Sequence, residues 1–339
     1  MLGWREEELT SMQPADAVEF FHKQKIKGTH AEIEAACALY GYHPLSLRLL
    51  AGRILKDFEN PADIIVAQRL KIDGDIIQQK HHVLEVSYHS LPHHEQKLLS
   101  TIACFRSPVE HKTLEAIVED KNSLDDDLHD LVARGLLNFD EKNKKFDLHP
   151  IVRRYAYERL TAPDRAATHT RLRDYFATVD VPEEPHTLEE LAPLIELYYH
   201  TVRAEKFDDA CDLLYDRINP IIYYYLAAYQ LHIELLSALF PDGENNLPRL
   251  EKDSDKAWAL NSLANSYASS GQPNHAVMFF ELQNKLNEQI IEKGHLLVHF
   301  VKENLAKGLG NLADMAQTQI GMCASAEHNL EYMLRRKQF

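Results

Sequence analysis

The side chains best suited to chemistry in this sequence are nineteen histidines and four cysteines. A metal centre needs such donors at ligand spacing, as in HExxH on one helix face or paired CxxC thiolates. The sequence contains neither pattern. His81-His82 and His93-His94 are adjacent pairs, and adjacent residues on a helix point in different directions. His43, His89 and His200 stand without acid or thiol partners at ligand spacing. The histidines therefore read as solvated or core residues, and no metal site is expected. Cys37, Cys104, Cys211 and Cys323 lie far apart and read as reduced thiols of a cytoplasmic protein.

Other chemistries find equally little support. A phosphate-binding loop needs GxxxxGK[ST], in which backbone amides cradle phosphates, Lys meets their charge and the hydroxyl holds magnesium. The sequence has no such run, and its Lys112-Thr113 pair follows Arg106-Ser107-Pro108 with no glycine nearby. No apolar strand ends in paired acids, and no serine lies in a GxSxG elbow. The reading is of a chain that is not an enzyme, with no catalytic residue and no cofactor of its own. The net charge of −15 opposes binding along a phosphate backbone. No stretch approaches the ~20 apolar residues that span a bilayer, and the charged start MLGWREEEL is not a secretory signal.

The elements that would position any site are helical. Residues 1–78 read as short helices. Thr29-His30-Ala31-Glu32 has capping-box spacing, and the helix it opens ends near Gly41. Pro44 opens another, whose Leu45, Leu47, Leu49, Leu50, Ile54, Leu55 and Phe58 wrap most of its surface and predict deep burial. Asn60-Pro61 reads as a further helix start. Residues 79–162 change character. Helices are predicted over 82–89, 92–104 and 108–118, the last opened by a capping box at Ser107-Pro108-Val109-Glu110, and a fourth over 124–133. A hairpin follows, formed by 136–139 and 145–148, and then a helix over 151–160. Helices, a hairpin and a closing helix in this order and of this size make a winged helix.

Residues 163–339 read as helical hairpins broken at Pro182 and Pro185. Leu260, Leu263, Ala264, Tyr267, Gly271, Ala276 and Phe280 have the spacing of one TPR hairpin, with small residues at the helix contact and Gly at the turn. Gly321, Ala326 and Leu330 repeat its second half, and Leu312-Ala313 repeats Leu263-Ala264. Ala210 and Leu214 echo Ala276 and Phe280, with Glu205 in place of the turn glycine. The tyrosine run Tyr223-Tyr224-Tyr225, with Tyr229, reads as packing between hairpins. The expected fold is mainly α: a short helical bundle, a winged helix with a small β-hairpin, and an α-solenoid of TPR-like hairpins.

This order of elements resembles the C-terminal part of STAND signal-transduction NTPases of the NB-ARC type. The stretch Gly41-Tyr42-His43-Pro44-Leu45-Ser46 is similar to the Gly-x-Pro-Leu-Ala motif of that family's helical lid, with one residue inserted and Ser for Ala. Residues 84–105, LEVSYHSLPHHEQKLLSTIACF, look like the opening of its winged helix. Phe146-Asp147-Leu148-His149-Pro150 is similar to the Met-His-Asp motif, with Leu148 and Pro150 replacing Met and Asp. The resemblance implies that Pro44 packs on the adenine of a bound nucleotide and that His149 reaches the β-phosphate of ADP. It implies ATP or ADP as cofactor only in an intact parent protein, held by an upstream P-loop NTPase domain. It further implies a protein or ligand signal read by the TPR-like repeats, and it allows self-association on activation. On this reading the chain is a fragment cut at both ends.

The alternative is a winged-helix DNA-binding regulator with a TPR-like sensor domain. Its recognition helix would carry Asp125, Asp126, Asp127 and Asp130 against a single Arg134. Groove readers need donors and positive charge near phosphates, so no nucleic acid is expected as a partner.

Overall fold

The structure is a computed structural model that describes residues 11–118, 120–292 and 310–311. It is mainly helical with one small sheet. The chain divides into two compact units, Met1–Thr168 and His169–Phe339.

The first unit opens with a bundle of α1 (Pro14–Lys23), α2 (His30–Leu39), α3 (Pro44–Leu55), α4 (Ile65–Arg69) and α5 (Ile76–His89). The Thr29 capping box forms: Thr29 Oγ1 accepts from the Glu32 amide at 3.3 Å, and Glu32 Oε2 accepts from the Thr29 amide at 2.8 Å. Pro44 occupies the first turn of α3, where its missing N–H leaves no partner unmet. As the sequence pattern predicts, Leu45, Leu47, Leu49, Leu50 and Ile54 are buried around most of that helix. Phe58 is not among them; it lies beyond the helix end and is fully solvated. Asn60-Pro61 does not start a helix. The Asp57 carboxylate instead gathers the amides of Glu59 and Asn60 into a turn, and the helix waits until Ile65. α5 begins at Ile76, ahead of the predicted 82, because Asp75 and Gln78 form a second capping box.

Buried Gln79 joins the pieces of this bundle. Its Nε2 donates to Tyr40 Oη at 3.2 Å and to the Leu70 carbonyl at 2.8 Å, while its Oε1 accepts from the Ile72 amide at 3.1 Å. Three segments thereby share one side chain.

The winged helix comprises α6 (His93–Ala103), β1 (Val109–Glu110), α7 (His111–Ile117), α8 (Leu124–Ala133), β2 (Asn138–Asp140), β3 (Lys145–Asp147) and α9 (Pro150–Glu158). Its antiparallel sheet has the order β1-β3-β2. Here one expectation fails. Ser107–Glu110 does not cap a helix; Val109 pairs with Phe146 and buries its side chain, so the segment becomes the third strand and the helix starts at His111. A β-branched residue opposite an aromatic suits a half-buried sheet face. The wing turn is closed by Asp140 Oδ1, which accepts from the amides of Lys142 and Asn143.

The division between units falls within α10 (Ala162–Phe176). The second unit holds α11 (Leu188–Arg203), α12 (Phe207–Leu213), α13 (Tyr229–Ser237), α14 (Asp253–Ser269) and α15 (Pro273–Glu292). The TPR-like hairpin is α14 and α15. Gly271 turns at φ +80°, Ala264 and Ala276 are buried, and Tyr267 stacks on Phe279 at 5.5 Å. The earlier echo is α11 and α12, with Ala210 and Leu214 buried. At its turn Glu205 takes φ +60°, the left-handed conformation that Gly271 supplies in the other hairpin.

The second unit is less regular than its sequence pattern. After α12 the chain widens into π-helical turns, Leu214–Ile218 and Pro220–Tyr225, and residues 241–252 form a loop. The tyrosine run is split by this geometry. Tyr223 packs on Tyr229 and His232, whereas Tyr224 and Tyr225 point to solvent. Residues 312–313, 321, 326 and 330, assigned to a further repeat, lie outside the described residues. Among the described residues no helix is long and apolar enough to cross a membrane.

Candidate functional site

The two motif positions, Pro44 and His149, occupy equivalent places on α3 and α9. His43 is the N-cap of α3 and Pro44 its first helical residue; His149 is the N-cap of α9 and Pro150 its first. Each imidazole acts as a local cap through Nδ1. His43 accepts from the Ser46 amide at 3.4 Å, and His149 accepts from the Ile151 amide at 3.3 Å. An Nδ1 that accepts leaves the other ring nitrogen, Nε2, as the N–H donor of the neutral tautomer.

The fold brings these helix starts together. Burial chiefly, then the charge of Lys80 and then His149, hold His43 below the usual imidazole value. Burial and the charge of Arg48 do the same for His149. His43 thus feels Lys80 of α5 and His149 of α9, and His149 feels Arg48 of α3. Both imidazoles are half-buried, and Pro44 is exposed beside them. Both rings are held chiefly by burial toward the neutral form, with neighbouring positive charge adding to the effect. Neutral imidazole N–H groups beside Arg and Lys form a donor set suited to phosphate oxygens.

Rigid contacts fix this arrangement. Arg48, one helical turn beyond Pro44, donates to the Leu137 carbonyl at 2.7 Å and to Asn138 Oδ1. Lys56 pairs with Asp130 at 2.5 Å. Gly52 lies against the backbone of Arg134, so close that no side chain fits between them. Thus α3 is clamped along the C-terminal half of α8 and the start of β2. Asp130 holds Lys56 and Arg134, and Asp125 holds His111 at 2.6 Å, so these acids of the would-be recognition helix have partners within the unit.

Pro44 and His149 are legible in the sequence through motif likeness, whereas the charges that act on the two imidazoles, Lys80 and Arg48, are not. Arg48 carries a sequence signal, being four residues beyond Pro44 and so on the same helix face. Lys80 carries none, since only the packing of α5 brings it near. His200 differs from its sequence expectation. Its Nε2 lies 3.6 Å from Glu196 Oε2, one turn earlier on α11, so an acid does stand at helical spacing. Both are buried, and His200 Nδ1 contacts His169 Nδ1 at 2.9 Å.

No protein-family model matches the chain, and no curated protein sequence matches it. Among solved structures, the chain is similar to a signal-transduction ATPase with numerous domains (STAND) protein with a tetratricopeptide repeat sensor, from Pyrococcus horikoshii. The identity is 15% and the TM-score 0.47, over 97% of this chain and 47% of that one. This chain thus spans about half the length of that protein.

Proposed function

We propose that this chain is the lid, winged helix and sensor region of a STAND-type signal-transduction ATPase, and that it performs no catalysis by itself. The observation that carries the reading is that α3, which opens at Pro44, is bonded directly to the winged helix, Arg48 donating to the Leu137 carbonyl and to Asn138 Oδ1. In the proposed mechanism an upstream P-loop domain holds ATP or ADP. Pro44 packs on the base, and the neutral His149 ring donates to a phosphate oxygen. The clamp of Arg48, Gly52 and Lys56 makes the bundle and the winged helix move as one block. A protein or ligand signal on the TPR-like hairpins then biases this block between closed and open states. The acids of α8, several already paired inside the unit, favour a relay between protein parts over a reader of DNA.

Two experiments test the proposal. Calorimetric titration of this chain with ATP or ADP is expected to give no measurable binding, since two lid residues cannot replace the ligands of a P-loop. In a longer form carrying a P-loop domain, His149→Ala is expected to weaken ADP retention about tenfold, the worth of one charge-assisted hydrogen bond of about 1.5 kcal/mol. Unchanged ADP affinity would remove His149 from the nucleotide site. Deletion of 165–339 in the same protein tests the sensor; nucleotide turnover and assembly indifferent to that deletion would end the sensor reading.

A further inference from the structure

The first turns of α6 and α8 bring together an imidazole and two carboxylates that the proposed function does not use. His94 Nε2 lies 3.1 Å from Asp127 Oδ1. One donor atom each from His94, Glu95 and Asp127 lies within 4.8 Å of the others. The second oxygen of Asp127 is oriented by Ser123, whose Oγ donates to Oδ2 at 2.9 Å. Glu95 is only 6% exposed, and its Oε2 is buried with no hydrogen-bond partner. A buried carboxylate oxygen without a partner costs stability unless something meets it.

The surrounding charges leave room for a cation. Glu95 faces Asp127, Asp130 and Arg134 from α8, and Lys56 reaches Asp130 from α3. Both basic groups are engaged by Asp130: Lys56 at 2.5 Å and Arg134 through its Nε. Arg134 Nε stands 4.0 Å from Glu95 Oε2, outside hydrogen-bond range. Three carboxylates thus share two cations.

We propose that His94, Glu95 and Asp127 form a binding site for a divalent transition-metal ion of the zinc class, completed by water. One imidazole and two carboxylates suit zinc, manganese or ferrous iron and disfavour calcium and magnesium, which prefer all-oxygen shells. Ligands about 2.0–2.2 Å from a tetrahedral zinc lie roughly 3.3 Å from one another, and His94 with Asp127 already stands near that separation. The His94 side chain is 58% exposed, which gives the ion an entry path and lets the ring close on the remaining ligands. A bound ion would tie α6 to the start of α8, while the end of α8 is tied to α3 by Lys56 and Gly52. The site would therefore stiffen the packing of α6 on α8, next to the Asp130 and Arg134 end of the clamp.

The test uses the full chain, stripped of metal by a chelator and titrated with Co2+ as a spectroscopic probe, then with Zn2+ in competition. Wild-type protein is expected to bind one more ion than His94→Ala, a variant that removes an exposed side chain and leaves the core packed. Asp127→Asn is expected to weaken that site by at least about 10–100-fold, with circular dichroism showing both variants folded. Equal stoichiometry and affinity in wild type and His94→Ala, or no binding by wild type, would overturn the proposal. Mg2+ displacing Co2+ at comparable concentration would overturn the transition-metal assignment.

Discussion

Gly52→Ala distinguishes local propensity from tertiary packing, because the two predict opposite signs. Gly52 is in the interior of α3, where alanine outranks glycine by about 1 kcal/mol of helix propensity. Propensity alone therefore predicts a more stable protein. The structure predicts the reverse. A Cβ at this position would lie 2.7 Å from Arg134 Cα and nearer still to its carbonyl group. Ordinary contact begins at 3.4 Å, so α3 and the Arg134 backbone must part by at least 3.4 − 2.7 = 0.7 Å, and by more at the carbonyl. Neither side can yield alone: both are backbone, and packed interiors transmit such strain. Overpacking of this kind costs about 1–3 kcal/mol. The same displacement stretches the bonds from Arg48 to Leu137 and Asn138, each worth about 1 kcal/mol or more. With both bonds lost and the propensity gain subtracted, the net loss is about 2–4 kcal/mol. For a unit of this size that lowers its melting temperature by about 2–4 °C per kcal/mol. Differential scanning calorimetry should show the transition of the first unit shifted down, with that of the second unit in place. An unchanged or higher melting temperature would refute the close approach of α3 to Arg134, and with it the rigid clamp.

The remaining predictions concern single side chains. Gln79→Ala should cost about 2–3 kcal/mol in denaturant unfolding, because the Ile72 amide and the Leu70 carbonyl lose their bonds to it; a loss under 0.5 kcal/mol would mean that water substitutes freely there. Glu205→Gly should stabilise the second unit by about 0.5–1 kcal/mol, since the left-handed penalty of about 1–2 kcal/mol vanishes against glycine's extra entropy. Gly271→Ala should do the opposite by about 1 kcal/mol; nothing lies within 4 Å of the added methyl group, so a loss there isolates the backbone term. Burial pushes the His232 imidazole down from its ordinary value near 6.5 to about 4. Its unfolded form binds the proton more readily, so its contribution to stability is full above pH 6.5 and is lost as pH falls towards 4. At pH 5 the loss is about 2 kcal/mol relative to pH 8. His232→Gln should flatten that part of the stability–pH curve, and an equal slope in both proteins would show that other groups set it.

The sequence by itself determined what depends on near neighbours along the chain. The Thr29 capping box, Pro44 at a helix start, α8 over Leu124–Ala133 and the Gly271 turn each follow from residues a few positions apart. Their stabilising contacts close within one turn of helix, so spacing alone reveals them. Of the candidate site, the sequence named Pro44 and His149 through motif likeness; Arg48, at helical spacing from Pro44, went unnamed. Only the tertiary structure decided the rest. Val109–Glu110 is a strand because Phe146, far along the chain, offers it a ladder; locally it reads as a helix cap. Lys80 joins the basic cluster, Gly52 meets Arg134, and His94 meets Asp127 through contacts between separate elements. Adjacent histidines on a helix are poor ligands for one ion, which is why His93-His94 read as solvated. The partners that change His94 come from α8, more than thirty residues away, and no spacing within α6 encodes them.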